Sequence, residues 1–234
     1  NDFKSEFLYE NILMSSNIIY SAFQNNVKNL IYMGSSCIYP RDCKQPIKEE
    51  YLLTGSLESS NDAYAISKIA GIKMCNFFSE QYKLNYIGLM PTNLYGLNDN
   101  FDQQYGHVIP AILSKVLDFK NKKKKIVKLW GNGSSKREFL FVDDLAEACY
   151  SVLNKNINYP YLNVGSGEEV SIKKLIKIIN NIYGGDLKYK FTGEESNGTP
   201  RKILNSSKIR SLGWKPKISL TMGLEKIMKS KNII

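Results

Sequence analysis

A chain of 234 residues, 43% of them hydrophobic, has room for one large domain or two small ones and is too apolar to be disordered. Its net charge of +10 invites an anionic partner, but lysines are scattered along it, and the one block, Lys122–Lys125, reads as a solvated loop rather than a nucleic-acid patch. Cys37, Cys43, Cys75 and Cys149 show neither metal-ligand spacing nor a disulfide framework, and no apolar run reaches transmembrane length, so a reducing, cytoplasmic setting without metal, membrane or nucleic acid is expected.

Taken in chain order, apolar residues recur at helical spacing from Leu8 to Phe23. "NLIYMGSS" (29–36) is a short apolar strand ending in glycine and serines. "NDAYAISKIAGIKMCNFFSEQY" (61–82) is a long helix with Asn61 or Asp62 as N-cap. "NYIGLMP" (85–91) is the next strand, and "VIPAILSKVLDF" (108–119) a helix. "KIVKLWG" and "REFLFV" read as strands, followed by the helix "DDLAEACYSVL", which Asp143 or Asp144 would cap. "YLNVGSG" is a strand and turn, "SIKKLIKIINNIYGG" a helix from Ser171 to a glycine pair, "LKYKF" a strand, and "SLTMGLEKIMKS" a closing helix. Strands alternating with helices predict an α/β fold with a parallel sheet.

A doubly wound nucleotide-binding sheet opens with a strand, a Gly-rich turn and a helix whose N-terminus holds a pyrophosphate. This sequence has no G-x-G-x-x-G and begins in a helix. It therefore reads as a larger fold lacking its N-terminal strands, two βαβ units of about 60 residues in all.

Tyr64 and Lys68 stand four residues apart and share a helix face. An ammonium beside a phenol favours the phenolate, so Lys68 is expected to lower the Tyr64 pKa and make it a usable proton donor or acceptor. Ser35, on the turn after the strand, is placed to hydrogen-bond the same substrate oxygen.

The strand with its GSS turn, the Y-x-x-x-K helix, "PTNLYG" and "REFLFVDDLAEA" together resemble the extended short-chain dehydrogenase/reductase family of nucleotide-sugar enzymes. "GSSCIYP", "NDAYAISKIAGIK", "MPTNLYGLNDNF", "HVIPAIL", "WGNGSSKREFLFVDDLA" and "NGTPRK" are similar to its members that epimerise C3 and C5 of GDP-4-keto-6-deoxy-D-mannose and then reduce C4. The similarity covers nearly the whole chain. It implies NADPH as cofactor, a GDP-sugar as substrate, and a homodimer when full length. It also implies a Rossmann-like domain from residues 1–98 and about 126–165, with a smaller α+β substrate domain from about 99–125 and 166–234.

The resemblance assigns roles residue by residue. Cys37 is the base and His107 the acid of epimerisation. A 4-keto group acidifies the C3 and C5 protons, so each centre needs such a pair, and a thiol on a polar turn can serve as a thiolate. Taken alone, Cys37 reads sooner as a small packing residue, and His107, the sole histidine, as an incidental loop residue; the resemblance reverses both readings. Ser35, Tyr64 and Lys68 are the reductase residues. Met33, Gly34, Ser35, Ser36, Pro91, Thr92, Asn93 and Leu94 line the cofactor, with Tyr64, Lys68 and His107 beside it. Lys115, Trp130 and Arg137 hold the GDP-sugar, although Trp130 also reads as a core residue at the end of a strand. Many members have Asp where this chain has Asn197, which keeps a hydrogen-bonding carbonyl but loses the charge.

Two competing readings remain. One is another nucleotide-sugar epimerase or dehydratase of the same family, against which the Cys37–His107 pair argues. The other is an inactive fragment acting as a binding module. Without the Gly-rich turn, the chain as given is expected to hold NADPH very poorly and GDP-sugars weakly.

Overall fold

The computed structural model describes residues 3–103, 106–153, 155, 157–193 and 199–234. Its elements begin with helix α1 (Lys4–Gln24), strand β1 (Asn29–Met33), helix α2 (Asp62–Tyr82) and strands β2 (Asn85–Pro91) and β3 (Asn93–Tyr95). Helix α3 (Val108–Lys120), strands β4 (Val127–Leu129) and β5 (Lys136–Phe141) and helix α4 (Val142–Leu153) follow. Strands β6 (Tyr161–Val164) and β7 (Glu169–Ser171), helix α5 (Ile172–Tyr183), strands β8 (Tyr189–Phe191) and β9 (Arg201–Lys202), and helices α6 (Ser207–Ser211) and α7 (Leu220–Ser230) complete the order. The chain divides into two compact units: Asn1–Thr92 with Leu145–Gly167 and Ile203–Lys215, and Asn93–Asp144 with Glu168–Lys202 and Pro216–Ile234. The fold is of the expected α/β class.

In the first unit β1, β2 and β6 form a parallel sheet with β2 in the middle. β2 is buried from Tyr86 through Pro91, the pattern of a strand enclosed on both faces. Helices α1 and α2 pack together through aromatic rings, with Phe23 lying 4.4 Å from Tyr82 and 4.9 Å from Phe78. Beneath them Ile19, Cys75 and Tyr86 are buried as one group. Asn61 occupies the N-cap of α2 without a capping side-chain bond; the Asp62 carboxylate instead accepts from the Ala63 N–H at 2.7 Å.

A buried polar cluster ties distant segments of this unit. Asn163 on β6 donates through its amide to the carbonyls of Ile47 (2.9 Å) and Asn205 (3.2 Å). Its side-chain oxygen accepts from the Tyr39 hydroxyl at 2.6 Å, and its backbone N–H donates to Glu49 at 3.0 Å. Lys208 neutralises the buried Glu49 carboxylate from 3.3 Å. Every charge and amide in the cluster is therefore paired, as its burial requires.

In the second unit β5 is central. It pairs in parallel with β3 and β9 and antiparallel with β7, while β4 and β8 form a separate parallel pair. Tyr95, Leu113, Phe139, Phe141, Ile176 and Leu224 belong to its buried core. Ser171 caps α5, its hydroxyl accepting from the Lys174 N–H at 3.1 Å, and Gly184 ends the helix in the left-handed region, as the sequence signals predict. The expected capping of α4 by an aspartate is not what forms. The helix starts at Val142, and the buried Asp144 carboxylate instead accepts the backbone N–H groups of Lys217 (2.9 Å) and Ile218 (3.0 Å). The acceptor serves the chain before α7. Asp144→Ala should thus strand two N–H groups and cost about 2–4 kcal/mol, read as a lowered urea midpoint.

Candidate active site

β1 ends at Met33 and the chain turns through Gly34 and Ser35 into a single 3-10 turn at Ser36–Ile38. Ser35 caps that turn: its Oγ accepts from the Cys37 N–H at 3.1 Å. This fixes the serine hydroxyl at the carboxyl end of a parallel strand, where such sheets bind ligands. One turn into α2, Tyr64 shares a hydrogen bond with the Ser35 side chain. Lys68, a further turn along, donates to the Met33 carbonyl at 2.9 Å, and its ammonium lies 5.9 Å from the Tyr64 ring centre and 5.3 Å from that of Tyr32. Ser35, Tyr64 and Lys68 are thus brought together, with Cys37 on the same turn. Ser36 is buried. Pro91 ends β2, and the buried Thr92 donates its N–H to Val164 at 3.0 Å.

The electrostatics differ from the sequence expectation in one respect. Burial pushes the Tyr64 pKa up; the Ser35 hydrogen bond opposes this without reversing it, and the neighbouring Cys37 and Tyr32 add to the rise. Lys68 is not among the groups that shift it, and burial pushes the lysine's own pKa down. Tyr64 is therefore held as a protonated phenol, the form that donates.

In the second unit Lys115, Trp130 and Arg137 line one cleft of about 220 Å³ together with Gln103, Asn132 and Ser135. Trp130 is 64% exposed, which removes the core alternative. The alternation along β4 explains its position: Val127 and Leu129 point inward, and residues 128 and 130 point out. The Lys115 ammonium lies over the indole at 4.7 Å and donates to the Lys128 carbonyl at 3.2 Å. Burial pushes its pKa down. Arg137 leaves β5 and folds back onto the Lys136 carbonyl at 2.8 Å. A cation over an aromatic plane beside a guanidinium suits a base and a diphosphate. Asn132 and Ser135 have a single sequence signal, the "GNGSS" turn after Trp130.

Asn93 and Leu94 open β3, and the Asn93 amide donates to the Glu138 carbonyl at 2.8 Å. His107 occupies the N-cap position of α3 with its side chain 84% exposed, and its Nδ1 lies 4.0 Å from Asp99 Oδ1. Asn197 lies outside the described residues.

A family model described as the NAD dependent epimerase/dehydratase family matches residues 1–165. A putative GDP-L-fucose synthase of Arabidopsis thaliana is 46% identical over 224 residues, 96% of this chain and 68% of that protein. The GDP-L-fucose synthase of Sinorhizobium fredii is 43% identical over 226 residues, 97% of this chain and 72% of that protein. Among solved structures, a GDP-mannoheptose C4 reductase of Campylobacter jejuni with NADP bound is 33% identical, with a TM-score of 0.86 over 99% of this chain and 78% of that one. The Ser35–Tyr64–Lys68 cluster, the parallel sheet that carries it and these likenesses agree: the chain belongs to the NAD dependent epimerase/dehydratase family.

Proposed function

We propose that this chain carries the catalytic residues of an NADPH-dependent enzyme that converts GDP-4-keto-6-deoxy-D-mannose to GDP-L-fucose. The observation that carries the reading is the meeting of Ser35, Tyr64 and Lys68 at the end of β1 with a cysteine two residues along the same turn. The donor set fits a nicotinamide ribose and a carbonyl oxygen: an ammonium tethered beside two hydroxyls. Met33–Ser36, Pro91–Leu94 and His107 are the remaining candidates to line the cofactor, and the first unit is its domain in this reading. NADPH, when bound, supplies the hydride that reduces C4.

The chain's own residues do the proton chemistry. At C3 and then at C5, Cys37 takes one proton and His107 returns one on the opposite face, with Cys37 losing its proton to solvent and His107 regaining one between the two rounds. Ser35 holds the C4 oxygen while Tyr64 gives it a proton. Lys68 holds the ribose. The second unit holds the nucleotide: Trp130 offers a plane for the base, and Lys115 and Arg137 offer charge for the diphosphate. Asn197 is a further candidate contact. A homodimeric, cytoplasmic full-length protein completes the reading; no helix among the described residues is long and apolar enough to cross a membrane.

The test is product identification with the full-length protein, NADPH and GDP-4-keto-6-deoxy-D-mannose. GDP-L-fucose is the expected product. A reduced sugar with C3 and C5 unchanged would favour a plain C4 reductase, the activity named for the Campylobacter jejuni protein. No NADPH consumption would leave only a binding module.

A further inference from the structure

We infer that Asp99 is the positioning carboxylate of His107, holding the Nδ1 edge of the imidazole so that Nε2 is the nitrogen that hands over the proton; this rests on the reading of His107 as the epimerisation acid. An acid must be aimed, since a displacement of about 1 Å can cost on the order of 100-fold in rate. His107 needs an external restraint because its side chain stands largely in solvent, and its ring torsion is soft. Among the described residues, Asp99 is the one acid at ion-pair distance from it.

The loop is built to deliver that carboxylate. Asp99 comes eight residues before His107, and its Oδ1 is fixed by the Asn100 N–H at 2.8 Å. The Asn100 side chain in turn accepts from the Asp102 N–H at 3.0 Å. The Asp102 carbonyl accepts from the Gly106 N–H at 3.0 Å, which brings the chain back on itself. A Cβ at residue 106 would overlap the carbonyl oxygens of Asn100 and Asp102, so this closure needs glycine. On one side Phe101 packs on the second unit's core beneath the Lys231 ammonium, 4.4 Å from its ring centre. On the other, the His107 carbonyl accepts the Ala111 N–H at 3.0 Å and begins α3. Both ends are therefore anchored, and the carboxylate, only 18% exposed, faces an imidazole that is free to turn. A gap of 4.0 Å is longer than a hydrogen bond; catalytic contacts of this kind tighten when substrate binds.

His107 is the chain's sole histidine, so its ring can be read without assignment. In a 15N-labelled full-length sample saturated with GDP-L-fucose, at a pH where the imidazole is neutral, long-range proton–nitrogen spectra should show the proton on Nδ1. Asp99→Ala should shift it towards Nε2, and Asp99→Glu should restore it. In the full-length protein, Asp99→Ala should slow deuterium exchange at C3 and C5 about tenfold or more with KM little changed. Asp99→Glu should recover most of the rate, which a merely structural role would not produce. Unchanged tautomer and unchanged exchange in Asp99→Ala, with His107→Asn defective, would overturn the inference and leave the acid in place. Unimpaired exchange in His107→Asn would remove the acid itself, and the inference with it. Should Asp99→Ala unfold by circular dichroism, Asp99→Asn is read in its place, and a wild-type exchange rate there is the overturning result.

Discussion

Tyr64→Phe should abolish reduction while leaving the protein folded. The substitution removes one oxygen and keeps the ring that packs 6.3 Å from Phe7. What it removes is the proton donor. General acid catalysis contributes about 10²–10⁴-fold, so NADPH oxidation with the keto-sugar should fall by at least that lower figure. The pKa direction sets the pH behaviour. A phenol whose pKa is raised keeps its proton up to a higher pH, so the donor is present at neutrality and is lost only as pH climbs past the raised value. The alkaline limb of reduction due to Tyr64 should accordingly lie above about pH 10, the ordinary tyrosine value. Near-normal NADPH oxidation by the phenylalanine variant would remove Tyr64 from the mechanism.

Cys37→Ser should separate the two chemistries. The serine keeps the size of the side chain and the turn, whose cap depends on the residue 37 backbone N–H and not on its side chain. A hydroxyl is a far weaker base than a thiolate. In D₂O, deuterium entry at C3 and C5 should drop by about 100-fold or more. Hydride transfer to the unepimerised ketone should persist, because Ser35, Tyr64 and Lys68 are untouched. The product would then carry the original configuration at C3 and C5, distinguishable by NMR. Full exchange in the variant would show that another group is the base.

The parts of the fold legible in sequence are those set by local chemistry. Helix α5 is bounded by a serine that caps it and a glycine that stops it, and both signals are local. Strand β2 is apolar along its length because both of its faces are covered. The α4 start is not legible locally, because Asp144 answers to Lys217 and Ile218, more than seventy residues away. The same division holds at the site. Tyr64 and Lys68 are legible as one helix face, but the direction of the Tyr64 pKa depends first on burial and then on the neighbouring Ser35, Cys37 and Tyr32, which only the folded chain brings together. Trp130 was ambiguous as a lone residue, yet the in–out alternation of "VKLW" already contained its answer. Asp99 carries no local signal, because its approach to His107 depends on a loop closing at Gly106.

The Asn163 cluster also bears on how the protein is made. Its partners sit at residues 39, 47, 49 and 205, so the side chain cannot be satisfied until the last of these has left the ribosome. Until then one proton of that amide has only water as its acceptor, and the first unit lacks the last of its three separate stretches. Closure across so many intervening residues carries an entropic cost that local contacts cannot offset early. Synthesis of the segment around Asn205 is therefore expected to complete the unit that bears Ser35, Tyr64 and Lys68. A nascent chain stalled before that residue should remain sensitive to protease long after its strands have been translated.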